Sequence, residues 1–489
     1  MTLRGGLRLR ILSLAPLFAA TAALAYPPTY GTEFNFVSPK IDQAARWRLP
    51  GTLVGKAEHQ FAEAMVDQVR RRCPTCQVST HKGKFGFEEY KVTVPDGSWW
   101  FNIAVDPGCV EVQTSPATSN AIRDQIAEMK KYIFDSAKGS GLSFRQARDI
   151  ENSTAHLNIG ARSAFEGDVK GFMRYLVDYQ NNPALGAGVF GDDFANAPLL
   201  SELKPEQRKA FTALVEDVNA GKVETIDVLA RRMNYEVYTW TPTFNKNGLS
   251  SGQHYQSFGM KQLIKSEFAN HDMPFELRAV RMPTTPEEYQ LLTELMDARI
   301  DFMKKQEGPI HFVDTTKVEI ASYRSTAEIK ALEFHLYVSE LGLDPKKYES
   351  LITPDARKAL HGDHLARVLG GEVKLKNESD LAILDYLAKR ALTSPASEKA
   401  FYGIIEKQSK PADVLATLLD RIYYDAEKGT ETAEVILERT KRMITQAAAH
   451  GMPVQASGHE YLEGLEKLTR PASLATKCVR WLKNPFGWW

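Results

Sequence analysis

Apolar and polar positions follow two different rhythms along this chain, and the change from one to the other divides it at about residue 308. Before that point, short runs alternating every second residue recur between longer runs spaced at three to four. After it the spacing is almost wholly helical. The densest alternating stretch lies between Tyr90 and Pro116: Tyr90, Val92 and Val94 alternate with polar neighbours, and Pro95-Asp96-Gly97-Ser98 then turns the chain. Trp99 to Val105 and Val110 to Val112 are aromatic and β-branched, as strands prefer. Further strands are predicted at Gly31–Val37, Ser153–Gly160, Tyr235–Thr243 and Phe275–Arg281. The two-residue period puts Glu33 with Asn35 on one face, His156 with Asn158, and Glu276 with Arg278, while Glu111 lies opposite its flanking valines.

Helical spacing predicts helices over 55–72, with Phe61, Met65 and Val69 inward, and over 119–137, with Ile122, Ile126, Met129, Ile133 and Phe134 as its stripe. Asp168 caps a helix that buries Val169, Phe172, Met173, Leu176 and Val177, and two more follow at 206–220 and 224–233. Thr285-Pro286-Glu287-Glu288 supplies an N-cap, a proline at the first helical position and an acidic third residue, opening a helix to Lys305. The segments 181–200 and 245–252 read as loops, and the first holds neither a P-loop nor a dinucleotide-binding glycine pattern.

Beyond residue 308 a strand is possible at Ile310–Val318, and the remainder is helical. Ser325 and Glu328 form a capping box for 329–341, Gly342 ends that helix, and others follow at 378–392, 398–408, 412–428, 431–450 and 460–468. No repeat period is present. His361 and His364 stand three apart without the carboxylate pattern of a metal pair, and the aromatic tail Trp481–Trp489 suits docking on the body or on a partner. The expected fold class is α+β, a largely antiparallel sheet with packed helices over 26–308, followed by a helical accessory domain over 309–489 that could carry a protein partner.

Composition narrows the function classes. The chain has 489 residues, more than one core of about 250–300 residues accommodates. Charged residues at 25% and hydrophobic residues at 43% describe a globular protein. Lys+Arg and Asp+Glu balance at 61 each, so no basic excess points to nucleic acid or to an anionic membrane surface. Arg4, Arg8 and Arg10 precede an apolar run ending at Ala23-Leu24-Ala25, the order of a secretory signal peptide over residues 1–25, or of an uncleaved anchor. The run is shorter than the roughly 20 residues of a spanning helix. No later segment is apolar enough to cross a bilayer, so the expected location is the periplasm or the outside of the cell. In that oxidising setting Cys73-Pro-Thr-Cys76 reads first as a local structural disulfide, because it follows a helical pattern instead of opening one. A redox pair remains the alternative, zinc lacks a second ligand pair, and Cys109 and Cys478 could also be joined.

Five motifs occur in order: Glu33-Phe34-Asn35, Asp96-Gly97-Ser98, Glu111-Val112-Gln113-Thr114-Ser115-Pro116, His156-Leu157-Asn158-Ile159-Gly160 and Glu276-Leu277-Arg278. In order and flanking residues they resemble the amidoligase branch of the glutamine synthetase-like and glutamate–cysteine ligase-like carboxylate–amine ligases, over roughly residues 30 to 305. The resemblance implies ATP-dependent amide formation through an acyl phosphate with Mg²⁺ or Mn²⁺, acting on small-molecule or peptide carboxylates and amines. It implies Glu33, Asn35, Glu111, His156 and Glu276 as metal ligands. Arg278, with Arg281 as a second candidate, would stabilise the transferring phosphoryl group, and Asn158, Asp96 and Ser98 would face nucleotide or substrate.

The chain departs from the family pattern in two ways. Asn35 stands where the family has a second carboxylate, which removes a negative charge from the cage. A signal peptide would also carry an ATP-dependent enzyme to where ATP is scarce. A catalytically silent binding or assembly protein on the same fold, or a metal-dependent amide hydrolase, are therefore the alternatives.

Overall fold

The structure is a computed structural model that describes residues 27–41, 55–83, 86–106, 108–144, 154–181, 205–238, 256–264, 271–281, 283–310, 312, 327–392, 395–427, 433–452 and 456–469. The signal-like segment, the loops 182–200 and 245–252, most of the possible strand 310–318, Cys478 and the aromatic tail lie outside the described residues.

The fold is α+β. Strands β1 (Tyr30–Val37), β2 (Gln77–Lys82), β3 (Glu88–Thr93), β4 (Trp100–Asp106), β5 (Cys109–Thr114), β6 (Ser143–Phe144), β7 (Thr154–Gly160), β8 (Phe258–Gly259) and β9 (Pro274–Arg281) form one sheet. Its order is β2-β3-β4-β5-β1-β7-β9-β8, β6 pairs with β1, and every pairing is antiparallel.

The alternation in sequence becomes two unlike faces. Tyr30, Phe34 and Phe36 share one side with Val92, Phe101, Ile103, Val110, Val112, Leu157, Ile159, Phe275 and Leu277, all buried. Helices cover that side: α1 (Lys56–Arg72), the α2–α4 run (Ser119–Gly139), α6 (Val169–Asn181) and α9 (Pro286–Lys305). Short α5 (Ala161–Phe165) leads into α6, and α7 (Pro205–Asn219) and α8 (Ile226–Arg232) pack behind it. Contacts across the layer are specific: Phe34 meets Tyr289 of α9 at 5.8 Å and the Tyr30 hydroxyl donates to Asp297 at 2.6 Å. Trp99 Nε1 donates to Glu128 at 2.7 Å, and Phe275 meets Phe172 of α6 edge-on at 5.3 Å. Each large apolar side chain buried there contributes roughly 1.5–3 kcal/mol. Polar residues therefore take the other side.

Two expected elements differ. The helix expected over 119–137 is broken into α2 (Ser119–Asp124), α3 (Ile126–Met129), a π turn (Lys130–Phe134) and α4 (Asp135–Gly139). The wider turn puts Ile133 fully into the core while Phe134 still reaches Phe34 at 5.1 Å, and Ile126 is left half-buried. The strand expected from Tyr235 begins instead as a π turn, Met233–Val237, that continues α8. Met233 and Val237, four apart, are both buried while Tyr235 is 62% exposed, so helical spacing prevails over the local alternation; residues 239–243 lie outside the described set.

After Lys305 every described element is helical: α10 (Ala327–Glu340), α11 (Pro345–Tyr348), α12 (Pro354–Leu360), α13 (Asp363–Leu369), α14 (Glu378–Ala391), α15 (Pro395–Glu406), α16 (Pro411–Glu427), α17 (Ala433–Ala449) and α18 (Ala456–Thr469). Helices α11 and α12, not expected from spacing, each open on a cap followed by proline: Asp344 accepts from Lys346 N and Thr353 from Ala356 N. His361 Nε2 lies 3.0 Å from Glu349, and His364 Nε2 lies 2.8 Å from Asp380. Burial alone would raise the Asp380 carboxyl, but hydrogen bonds from Arg367, Lys374 N–H and His364 outweigh it and hold it at about 2. These histidines are accounted for as structural partners. Cys73 and Cys76 are joined by a disulfide at the C-terminal end of α1, the position that favours a structural bridge, and Cys109 is buried.

The two halves meet at a buried guanidinium. Arg299 of α9, 1% exposed, donates to Asp178 of α6 from Nε at 2.8 Å and to Glu340 of α10 from Nη1 at 2.7 Å, and stacks on Tyr337 at 4.1 Å. Removing one member of such a group strands the others without compensation in a dry site. Arg299→Met should lower unfolding free energy by about 3–5 kcal/mol, read from the midpoint and slope of chemical denaturation. A loss below about 1 kcal/mol would show the joint to be solvated.

Candidate metal centre

The face of the sheet turned away from these helices collects the polar residues of its central strands. Glu33 pairs with Gln113 of β5, and Asn35 pairs with Glu111. On the other flank of β1, Gly31 pairs with Asn158 and Thr32 with Leu157, which sets Glu33 at the level of His156. Asn158 pairs in turn with Glu276 of β9, and Glu276 with Gly259 of β8.

Between Ala155 and Leu157 the register slips, because Ala155 pairs with Val280 but Leu157 with Leu277. One residue of β7, His156, thus stands across from two of β9, a β-bulge of the kind that re-aims a side chain beside a site. Its effect is visible further along: Val280, which strict alternation from Glu276 would turn to the polar side, is instead buried.

Glu33, His156 and Glu276 converge. His156 Nδ1 lies 2.5 Å from Glu33 Oε2 and 3.8 Å from Glu276 Oε1, and one ligand atom from each of the three lies within 4.8 Å of the others. Their side chains are 14–26% exposed, so the group is recessed but reachable. Glu276 Oε2 accepts from Arg278 Nη1 at 2.9 Å, and Arg278 is buried at 8% exposure. Metal–oxygen and metal–imidazole bonds of about 2.0–2.2 Å put adjacent donors roughly 3 Å apart. Side-chain rotations of an ångström or two would close this group around a divalent ion. Two carboxylates and one imidazole suit Mn²⁺ or Zn²⁺ and, with water completing the shell, Mg²⁺. The donor set fits a cation.

The other expected ligands stand apart. Glu111 is one strand over and accepts from Gln113 Nε2 at 2.6 Å; it lies outside the tight group. Its carboxyl is pushed well above the usual range by desolvation, with the charges of Glu33 and Asp106 adding to it. Asn35 is 9% exposed, and its Oδ1 accepts from the Cys109 thiol at 3.5 Å. Asn158 is half-buried beside Glu276. Arg281 reaches Glu288 at 3.6 Å and the Ser350 carbonyl at 3.2 Å at the strand end, away from the triad. Asp96 and Ser98 form the exposed β3–β4 turn: Asp96 accepts from Ser98 N at 3.0 Å, which lowers its carboxyl, and Gly97 takes the left-handed conformation the turn requires (φ 71°). That turn joins β3 to β4, and β5 separates it from β1 and Glu33.

Two residues joined to the site were not anticipated. Gln113 follows Glu111 by two and so shares its face, a relation legible from strand period alone. Gly259 was not legible, since its strand is two residues long. A Cβ there would stand 3.1 Å from Glu276 Oε2 and 3.3 Å from its Cβ, so the absence of a side chain lets Glu276 lie against β8. Among the described residues no helix is long and apolar enough to cross a membrane. No family model matches this chain, and neither does any curated protein or solved structure.

Two outcomes follow from this geometry. His156→Ala and Glu276→Gln should each weaken Mn²⁺ binding by about 10–100-fold in calorimetry; affinity indifferent to both substitutions would dissolve the centre. Glu111 has a folded-state pKa raised above its unfolded value, so the native state holds the extra proton and the cost of Glu111 appears as pH rises past the unfolded value. In EDTA, Glu111→Gln should therefore raise the melting temperature at neutral pH and not at pH 4. Equal shifts at both pH values would mean the carboxylate is ionised at no cost.

Proposed function

We propose that this protein is a divalent-metal-dependent carboxylate–amine ligase that uses ATP, with its reaction centre on the polar face of the sheet. The observation that carries the reading is the convergence of Glu33, His156 and Glu276 from three neighbouring strands, with the Arg278 guanidinium on Glu276. Three of the five metal ligands implied by the resemblance to the amidoligases are in that grouping, while Asn35 and Glu111 stand outside it.

A carboxylate is a poor electrophile, so amide formation in water needs activation. The substrate carboxylate oxygen attacks the γ-phosphorus of ATP, giving an acyl phosphate and ADP; the amine then attacks the acyl carbon, phosphate leaves, and the amine loses a proton. A bound dication would neutralise phosphate charge and align the groups. Glu33, His156 and Glu276 would hold it. Arg278, nearly buried and fixed by Glu276, presents its positive charge where phosphoryl transfer builds negative charge. Gln113 and Asn158 offer amide groups to orient the substrates. Glu33, so close to the imidazole, fixes the ring's orientation.

One observation favours a second reading, a metal-dependent amide hydrolase. Asn35 in place of a carboxylate, together with Glu111 raised towards its neutral form, leaves a centre with the charge for one dication, and one metal with a bound water suffices for hydrolysis.

With Mn²⁺ or Mg²⁺ the purified chain should release phosphate from ATP only when both a carboxylate and an amine are supplied. Arg278→Gln should lower that rate about 10²–10³-fold with little change in metal affinity. Amide cleavage without ATP would favour the hydrolase. Neither ATP binding nor phosphate release with any donor–acceptor mixture would end the ligase reading.

A further inference from the structure

The polar face continues well beyond the metal centre. The registers of four successive pairings line up Ser79, Lys91, Asn102, Gln113 and Glu33 in one straight row across β2, β3, β4, β5 and β1. Neighbouring strands lie about 4.8 Å apart, so Lys91 stands roughly 14 Å from Glu33.

Three features of the row point to a ligand. Lys91 forms no ion pair among the described residues, and its Nζ sits 4.2 Å over the ring of Trp100, which shares its face. An ammonium held on an aromatic plate keeps its N–H groups for an anion. Next in line, Asn102 Oδ1 is buried with no hydrogen-bond partner among the described residues, an unsatisfied polar atom beneath the row. The acidic metal centre closes the far end. A cation at one end and a metal-ready acidic group at the other complement an extended chain bearing two anions.

We propose that this row is the acceptance groove for an acidic peptide. Resting on the ligase reading, the proposal puts the reacting carboxylate at the Glu33/His156/Glu276 centre and a second carboxylate on Lys91 over Trp100. An extended chain advances about 3.4 Å per residue, so some four residues span the row. A free amino acid is too short to reach both ends.

The probes are acetyl-Glu-Ala-Ala-Ala with a free C-terminal carboxylate and the same peptide as its amide, titrated calorimetrically into the full chain with saturating Mn²⁺. The free acid should bind at least about tenfold more tightly, the size of one charge-assisted hydrogen bond. Lys91→Met should bring the two affinities together while leaving Mn²⁺ binding unchanged. Equal affinity of the two peptides for the unsubstituted chain overturns the groove, even where ATP-dependent phosphate release is intact and the ligase reading stands. A preference for the free acid that Lys91→Met abolishes supports the groove, even where ATP proves irrelevant and the ligase reading falls. Should Lys91→Met weaken ADP binding and leave the peptide preference untouched, the row belongs to the nucleotide and the proposal is wrong.

Discussion

One constraint organises the sheet half of the molecule: its described helices α1 to α6 and α9 pack on one face of the antiparallel sheet. With side chains alternating every residue, each strand must offer apolar groups to that layer and has its other positions left for polar ones. Phe34 and Phe36 are buried because of this, and Glu33 and Asn35, alternating with them, take the opposite face. A one-residue slip of any central strand would drive carboxylates into the aromatic packing of Phe172, Phe258 and Phe275, so the hydrophobic layer itself holds the polar residues in register. The site is the reverse side of the core.

That logic explains what could be read from the chain and what could not. Which face Glu33, Glu111, His156 and Glu276 take is a matter of period, and period is local. Which of them meet depends on strand order and on bulges, which are not local. Glu111 and Gln113 lie on the same face of the same strand, yet register puts Gln113 beside Glu33 and Glu111 beside Asn35. The bulge across from His156 is likewise silent in a stretch that reads as an unbroken strand. In the helical half, spacing marked α10 and α14 to α18, while the short α11, α12 and α13 were not legible. Nor were the π turns, because a single extra residue in a turn leaves the apolar spacing nearly intact.

The joint between the halves obeys different physics. Arg299 is taken out of water and held by Asp178 and Glu340, while a few side chains away Glu333 accepts from the Tyr386 hydroxyl at 2.5 Å, its carboxyl raised by burial and eased back by the Arg390 charge. Buried ions of this kind add little net stability compared with apolar packing, but they strongly disfavour arrangements that separate the partners. Helices α6, α9 and α10 are therefore fixed in one relative placement. Since α6 and α9 also pack under β1, β7 and β9, the helical half and the metal centre share a rigid base.

Charge decides how many dications the centre can hold. Binding two would need several ionised carboxylates, because each ion brings two positive charges into a recess where Arg278 already supplies one. The Asn35 oxygen is neutral and takes up the Cys109 thiol, and Glu111 is raised by burial, with its acidic neighbours adding to it. A first ion would offset only the part of that shift its acidic neighbours cause, and the part due to burial would remain. In the ligase reading, one dication with Arg278 beside it would balance the charge. Any phosphoryl chemistry here would then rest its second positive charge on a guanidinium instead of a metal, and that charge cannot be lost to a chelator.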